Sequence, residues 1–316
     1  MYYTKTMKTY ESIYQRLLEE DFITGETLAQ ELTISRAAVW KAIKTLEENG
    51  IHIEAVKKKG YRILSGDLLL ADLISNELNI PVTYLTTSES TQQDAKTAAL
   101  NGAQAPHLYL APNQTAARGR LGRHFHADKN GGIYMTLHLK PNTSYDRLPP
   151  YTVLVASSIV KAISRLTKKS PDIKWVNDIF LDGKKIAGIL SEAVTSVETG
   201  QVTDVFIGVG LNFHISEFPY ELRDIATSLF TENPSITRND LICEIWKLFF
   251  EIPEYDHIKV YKEKSLVLNK QVTYEKDGQS ITAKVLDITD QGHLVLETND
   301  GQELTLASGE VSLSSW

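Results

Sequence analysis

Residues Arg118-Gly119-Arg120-Leu121-Gly122-Arg123 set three guanidinium groups around two glycines. Arginine presents a planar, permanently charged fork that matches carboxylate and phosphate oxygens. Glycine lets the backbone take positive φ and pass close to a bound molecule. With Gln114 just upstream, the stretch reads as a mobile cationic loop able to fold over an anionic small molecule. A solvated basic surface loop is the plainer alternative. Gly131-Gly132 and the alternating run 133–139 follow, a strand signal that ties the loop to a sheet. No Gly-Lys-Ser/Thr comes after the loop, which excludes a Walker loop. The strand–GxGxxG–helix context of a dinucleotide site is missing too.

The neighbouring segments must hold that loop. A helix is predicted over 67–79, ended by Pro81, and 82–85 reads as a short strand. Residues 88–94 open the next helix, where the hydroxyls of Ser90 and Thr91 suit either capping or an acceptor-rich ligand at a helix N-terminus. Pro149-Pro150 precede a long helix over 151–168. A strand over 173–176 leads into Asn177-Asp178. Asp178 reads equally as an Asx turn or as a group that orients or deprotonates a nucleophile. Asp182-Gly183 is the strongest hairpin signal in the chain. A strand over 202–214 holds Gly208 and Gly210, which mark either close approach of a ligand or a bulge. Residues 239–252 and 257–268 read as helices. From Gln271 onward short strands (272–274, 281–286, 293–297, 303–306) alternate with turns at Asp277-Gly278, Gln291-Gly292 and Asp300-Gly301, the texture of a small β-barrel.

Residues 1–66 read as a winged helix-turn-helix. Ile13, Leu17 and Leu18 are assigned to the inner face of a first helix, and 25–32 gives a second. Ser35 is a good N-cap for a third, with Val39, Ile43 and Leu46 inward and Arg36, Trp40, Lys41 and Lys44 outward. Asn49-Gly50 ends it, and 51–56 pairs with 61–63 across Lys57-Lys58-Lys59-Gly60 as a wing. Between Ser35 and Arg62 seven basic residues face three acidic ones, in a chain whose net charge is −7. That local reversal suits DNA; a purely structural or dimerising helical bundle is the alternative. The acidity of the whole chain argues against non-specific nucleic-acid binding.

At 316 residues, 42% hydrophobic and 23% charged, the chain is expected to form two or three soluble domains. The single cysteine, Cys243, cannot form an internal disulfide, which suits a reducing cytoplasm; it reads as plain core. No run of about 18 apolar residues occurs, and none follows Lys5 and Lys8 at the N-terminus. A cytoplasmic protein without membrane attachment is expected.

The Arg-Gly-Arg-x-Gly-Arg stretch, with Gln114 four residues before Arg118, resembles the signature of biotin–protein ligases. The whole chain is similar to the bifunctional bacterial type, which joins the ligase to a biotin operon repressor. Lys174-Trp-Val-Asn-Asp-Ile-Phe-Leu and Lys185-Ile-Ala-Gly-Ile-Leu resemble that family's second and third motifs. Gly208-Val-Gly-Leu-Asn212 resembles its nucleotide-side motif, and 226–229 and 308–313 look like further family segments. The run 35–46 and Gly60-Tyr61-Arg62 resemble the repressor's helix-turn-helix and wing. Three positions depart from the pattern: Gln92 replaces Asn after Ser-Thr, Ala117 replaces Gly, and Val176 replaces Pro.

The resemblance implies a multidomain α/β protein. Residues 1–66 would be the winged helix, 67–268 a mixed-sheet, class II synthetase-like ligase domain, and 269–316 an SH3-like β-barrel. It implies activation of biotin by ATP and Mg²⁺ to biotinyl-5′-AMP, then transfer to one lysine of a biotin carboxyl carrier protein or domain. It further implies a homodimer that represses at operator DNA, with biotinyl-5′-AMP as corepressor. A carboxylate attacking an α-phosphate is anion meeting anion, so cations must hold the two together. Arg118, Arg120 and Lys185 are the expected catalytic cations, with Asp178 toward the acceptor lysine. Ser90, Thr91, Gln92, Gln114, Gly119 and Gly188 would join Arg118, Arg120 and Lys185 around biotin. Arg123, Phe125 (a stacking or lid residue), Asn177 and Asn212 would face the nucleotide. DNA would be met by the segment from Gly25 to Lys44, through Ser35, Arg36, Trp40, Lys41 and Lys44, and by Lys57, Lys58 and Lys59. No protein metal site is assigned, since His124 and His126 flank Phe125 without further ligands. Two rivals are a non-catalytic biotin-sensing regulator and a lipoate–protein ligase of the same fold class. The retained Lys185 and arginine loop weigh against the first; that loop and the winged helix weigh against the second.

Overall fold

The computed structural model describes residues 7–276, 278–307, 309 and 311–313. They form two compact units that divide between Leu70 and Ala71.

The first unit holds α1 (Thr9–Glu19), α2 (Gly25–Glu31), α3 (Arg36–Glu48), β1 (His52–Val56) and β2 (Gly60–Ser65). Thr24 and Ser35 start α2 and α3 by accepting from the amides of Thr27 and Ala38, donors that a helix start otherwise leaves free. Ile13, Tyr14 and Leu17 pack with Leu28, Val39, Ile43 and Leu46 in one core. Leu18, expected to face inward, is 56% exposed. It lies about 140° around the helix from Ile13, and Tyr14 takes the inner place instead. Leu68 and Leu70 also pack into this core. That is why the helix predicted from residue 67 begins only at Ala71. β1 and β2 pair antiparallel, and Ile23 and Tyr61 exchange two main-chain hydrogen bonds of 3.0 and 2.9 Å. The wing is thereby tied to the start of α2, with Lys57, Lys58 and Lys59 exposed in its turn.

The second unit runs α4 (Ala71–Leu78), β3 (Val82–Tyr84), α5 (Thr91–Leu100), β4 (His107–Ala111), β5 (Gly132–Leu139), α6 (Tyr151–Leu166), β6 (Asp172–Lys174), β7 (Asp178–Leu181), β8 (Lys184–Thr195), β9 (Val202–Asn212), α7 (Arg238–Glu251) and α8 (Glu254–Glu263). Its seven-stranded sheet has the order β3-β4-β5-β9-β8-β7-β6. Only β3 and β4 pair parallel, so the sheet is mixed. Alternation sorts its faces: Thr136 meets Thr91 of α5 at 2.9 Å, while Met135 accepts from the indole of Trp246 on α7 at 3.2 Å. α6 packs on β6, β7 and β8 and carries α7 and α8. Two predicted boundaries move. The strand over 173–176 stops at Lys174, and the Trp175–Val176 peptide bond is cis. The last helix spans Glu254–Glu263 instead of 257–268, because the chain then turns to run beside β6. There Ile173 donates to Lys264 O at 2.7 Å and accepts from the Leu266 amide at 2.8 Å.

Residues beyond 270 form β10 (Gln271–Lys276), β11 (Gln279–Ile288), β12 (Leu294–Thr298), β13 (Glu303–Leu306) and β14 (Val311–Leu313). They make an antiparallel sheet of order β13-β12-β11-β10-β14, the SH3-like domain, over a core that includes Val272, Val285, Leu294 and Leu296. The predicted turns at Gln291-Gly292 and Asp300-Gly301 lie between these strands. Asp277, Ser308 and Glu310, parts of the predicted turn at 277–278 and of the segment 308–313, lie outside the described residues. The Trp175 indole donates to Gly292 O at 2.8 Å, which joins this sheet to the strands beside Asn177.

Candidate active site

On the α5 face, beside the helix N-terminus, a cavity of about 320 Å³ lies over β8 and β9, within the size range of small-molecule pockets. Hydroxyls and amides from α5 and β5 form one end. Gln114 Oε1 accepts from the Thr91 amide at 2.7 Å and from its hydroxyl at 3.1 Å. The Thr91 and Thr136 hydroxyls lie 2.9 Å apart, and Thr136 donates to Gln92 Oε1 at 3.1 Å. Gln92 Nε2 reaches Glu192 Oε2 at 2.9 Å and the carbonyls of Phe206 and Leu190 at 3.1 and 3.3 Å. Ser90 occupies the N-cap position of α5 without a side-chain capping bond. Its hydroxyl is not used as a cap and borders the cavity.

The cationic side comes from β7, β8 and the arginine loop. Lys185 Nζ lies 2.7 Å from Asp178 Oδ1. A Cβ on Gly188 would stand 3.3 Å from Lys185 Nζ and 3.6 Å from Asp178 Oδ1, so the pair packs closely over this glycine. Arg120 Nη1 donates to Asn177 Oδ1 at 3.2 Å. Asn177 is itself fixed, its amide donating to Ile189 O at 2.9 Å and its carbonyl accepting from Ile189 N at 2.9 Å. Behind them Tyr261 donates to Val176 O at 2.9 Å, and burial pushes its phenol well above the usual range. The loop is folded back on itself: Gly119 donates to Arg123 O at 2.8 Å and Phe125 to Ala117 O at 3.0 Å. Ala117 is buried, so the methyl that replaces glycine is part of the loop's seat. At the tip Leu121 takes a φ of 57° and is exposed.

Toward the other end, the Phe125 ring lies on Gly210, where a Cβ would come within 2.6 Å of it. The ring is edge-on to Tyr134 at 6.5 Å. Asn212 donates to Thr227 O at 3.1 Å, which binds the end of β9 to the loop 226–229. Phe218, Leu222 and Ile225 complete an apolar wall. Sequence reasoning did not single out these three, because they sit in irregular chain with no periodic signal. Thr136 was missed as well, although its place on the polar side of an alternating strand was legible. All the residues named for biotin and nucleotide line this one cavity. Among the described residues no group of three or more His, Cys, Asp or Glu side chains is placed to hold a metal ion.

The first unit presents a separate cationic surface. Trp40 is 59% exposed on α3, with Lys44 Nζ 5.7 Å from its ring centre. Lys41 is exposed beside them, and Arg36 pairs with Glu26 at 2.6 Å. Arg62 is held by Glu54 at 2.6 Å and Asp21 at 3.3 Å.

Comparison with known proteins agrees with this division. Residues 10–62 match the HTH domain family, 83–212 the biotin/lipoate A/B protein ligase family, and 267–314 the biotin protein ligase C terminal domain. The bifunctional ligase/repressor BirA of Bacillus subtilis is 34% identical over 298 residues, 89% of this chain and 91% of that protein. The Escherichia coli protein of the same name is 26% identical over 95% of each chain. The solved biotin protein ligase from Aquifex aeolicus, in complex with biotin and ATP, superposes with a TM-score of 0.62 at 25% identity, covering 74% of this chain and 98% of that one. The chain belongs to the bifunctional ligase/repressor BirA family.

Proposed function

We propose that the chain activates biotin with ATP, transfers it to a protein lysine, and represses transcription in response to the same intermediate. The observation that carries this reading is the convergence of Arg118, Arg120 and the Lys185–Asp178 pair on one cavity with a hydroxyl-and-amide end and an apolar end. Biotin's ureido group suits Ser90, Thr91 and Gln114, which offer donors and acceptors at close quarters. Its carboxylate would then lie toward Lys185 and the arginines. These cations lower the repulsion between carboxylate and α-phosphate and stabilise the charge that builds on phosphorus. A carboxylate oxygen attacks the α-phosphorus, the P–O bond to pyrophosphate breaks, and biotinyl-5′-AMP remains. The adenine fits between Phe125 and the wall of Phe218, Leu222 and Ile225, with Asn212 and Arg123 nearby. A lysine amine of a biotin carboxyl carrier protein or domain next attacks the acyl carbon and AMP leaves; Asp178, through the oxygen not held by Lys185, would orient that amine. Asp178 is the one carboxylate among the described lining residues and is committed to Lys185. The protein thus supplies no cage for Mg²⁺; the ion would arrive on the nucleotide's phosphates and screen their charge.

The wing lysines Lys57, Lys58 and Lys59, with Trp40, Lys41, Lys44 and Arg36 on α3, suit phosphates and base edges of operator DNA. A homodimer would give the specificity that one winged helix lacks. No helix among the described residues is long and apolar enough to cross a membrane. The test is biotin-dependent exchange of labelled pyrophosphate into ATP, followed by the mass shift of a carrier domain. Exchange supported by lipoate in place of biotin would move the assignment to a lipoate–protein ligase. Biotin binding without exchange would make it a non-catalytic sensor.

A further inference from the structure

In the first unit, the start of α2, the start of α3 and the wing enclose a groove. Arg36 is the first residue of α3, behind the Ser35 cap, and Glu26 lies in the first turn of α2. The two hydrogen bonds between Ile23 and Tyr61 hold the wing against this turn. Gly60 makes that closeness possible, since a Cβ on it would collide with the Ile23 carbonyl. Lys57 and Lys58 therefore share one groove with Arg36.

Among the described residues that line this cationic groove, Glu26 is the one carboxylate. Its Oε2 accepts from Arg36 Nη2 at 2.6 Å. An acid in the first turn of a helix meets the helix dipole, which accounts for a carboxylate at this place but not for its contact with Arg36. The consequence of that contact follows from the donors. A guanidinium carries five N–H donors in a rigid fork. Glu26 engages Nη2, so the rest of the fork can still meet a base edge in the major groove. A phosphate is different, because it competes with the carboxylate for the same charge and is repelled by it. Base readout thus keeps the pair, whereas phosphate binding breaks it. Binding to DNA of arbitrary sequence draws on phosphates, so the pair opposes that mode selectively.

We propose that Glu26 is a specificity-determining residue: it keeps Arg36 for a base edge and off the phosphates of DNA of arbitrary sequence. The proposal rests on reading the first unit as a sequence-specific DNA-binding domain. Its size is set by exposure. The Arg36 and Glu26 side chains are 71% and 65% exposed, and an ion pair in that setting favours contact by about 1.4- to fivefold. Over the two half-sites of a dimer that becomes about two- to 30-fold.

The full chain is tested with biotin and ATP present, on a duplex that it selects from a random pool and on a scrambled duplex of the same composition. Fluorescence anisotropy gives both affinities over a series of salt concentrations. The parent is compared with Glu26→Gln, Arg36→Gln and the double variant, as a double-mutant cycle. Equal urea midpoints show that the variants fold. Glu26→Gln should lower the ratio of selected to scrambled affinity by about two- to 30-fold. Scrambled binding should tighten, and its salt slope should steepen by about 0.9 for each phosphate gained. In the Arg36→Gln background the same change should leave the ratio and the slope where they are. An unchanged ratio in the Arg36 background of the parent overturns the proposal. So does an effect that persists without Arg36, which would make Glu26 a general repulsive charge. A ratio that falls only because the selected duplex weakens, at an unchanged scrambled slope, overturns it too and makes Glu26 a base contact. If the parent binds its selected duplex no tighter than the scrambled one, the reading of the first unit fails, and this proposal fails with it.

Discussion

Replacing Lys185 with Ala separates the folding role of that side chain from the catalytic one proposed for it. In the folded chain its ammonium lies 2.7 Å from Asp178 Oδ1, with the two side chains 34% and 26% exposed. Water screens a pair of that exposure, so its contribution to folding is on the order of 1 kcal/mol or less. In the adenylation proposed for this cavity the same ammonium would hold an anion. A hydrogen bond to a charged group is then worth about 1.5–3 kcal/mol, roughly ten- to 150-fold in rate. Lys185→Ala should therefore slow biotin-dependent pyrophosphate exchange by that factor or more, while its urea midpoint shifts only slightly. Asp178→Asn, which leaves the cation in place, should spare exchange and depress transfer to the carrier. Exchange by Lys185→Ala within about twofold of the parent would remove Lys185 from the chemistry. A collapse of stability by several kcal/mol would show instead that the pair is chiefly structural.

Four further outcomes are expected. Biotin with ATP should protect residues 116–128 from proteolysis, and Arg120→Gly, which removes the hydrogen bond to Asn177, should let free biotinyl-AMP leak into solution; equal cleavage with and without ligand would mark a static loop. Gly210→Val should displace the Phe125 ring that now occupies the place of a Cβ, weakening ATP binding in calorimetry more than biotin binding. Burial pushes the Cys243 thiol from 9.0 up to about 11, so native protein should react with thiol reagents far more slowly than unfolded protein at pH 8; the stability this thiol contributes is complete below pH 9 and lost as pH rises toward 11. Neutralising Lys57, Lys58 and Lys59 should flatten the salt dependence of operator binding by about 0.9 for each phosphate that is no longer neutralised and leave carrier biotinylation unchanged in a mass-shift assay.

The elements were legible where periodicity or turn chemistry decides them. The hairpin at Asp182-Gly183 formed as read, with φ of 50° and 77° at its two turn residues, and Ser35 caps α3 as its type suggests. Tertiary packing overrode local signals elsewhere. Leu68 and Leu70 were drawn out of a plausible helix to cover the first unit's core, and residues 264–266 left α8 to pair with Ile173. The cavity's polar and cationic residues could be named in advance because arginines, glycines and hydroxyls cluster in short motifs. Its apolar wall could not, since Phe218, Leu222 and Ile225 come together only when the chain after β9 folds back over the sheet.

Gln92, where the family pattern has Asn, turns its carboxamide toward the protein. One methylene longer than the family's Asn, its carboxamide extends past the cavity rim to the carbonyls of Phe206 and Leu190 and to Glu192. Its oxygen takes the Thr136 hydrogen bond and lies 2.7 Å from where a Cβ on Gly208 would be. A side chain at position 208 would therefore push the amide out of its present place. Its nitrogen lies within hydrogen-bond distance of three protein acceptors and its oxygen holds the Thr136 hydroxyl, which meets that of Thr91 at 2.9 Å, so any effect of Gln92 on a ligand would pass through that pair. Gln92→Asn should thus leave a gap beside Gly208 and free Thr136, loosening the end of the cavity that is read as holding the ureido group. Its effect should appear as weaker biotin binding at an unchanged rate of adenylation once biotin is saturating. A fall in that saturated rate would mean that the carboxamide touches the reacting groups directly.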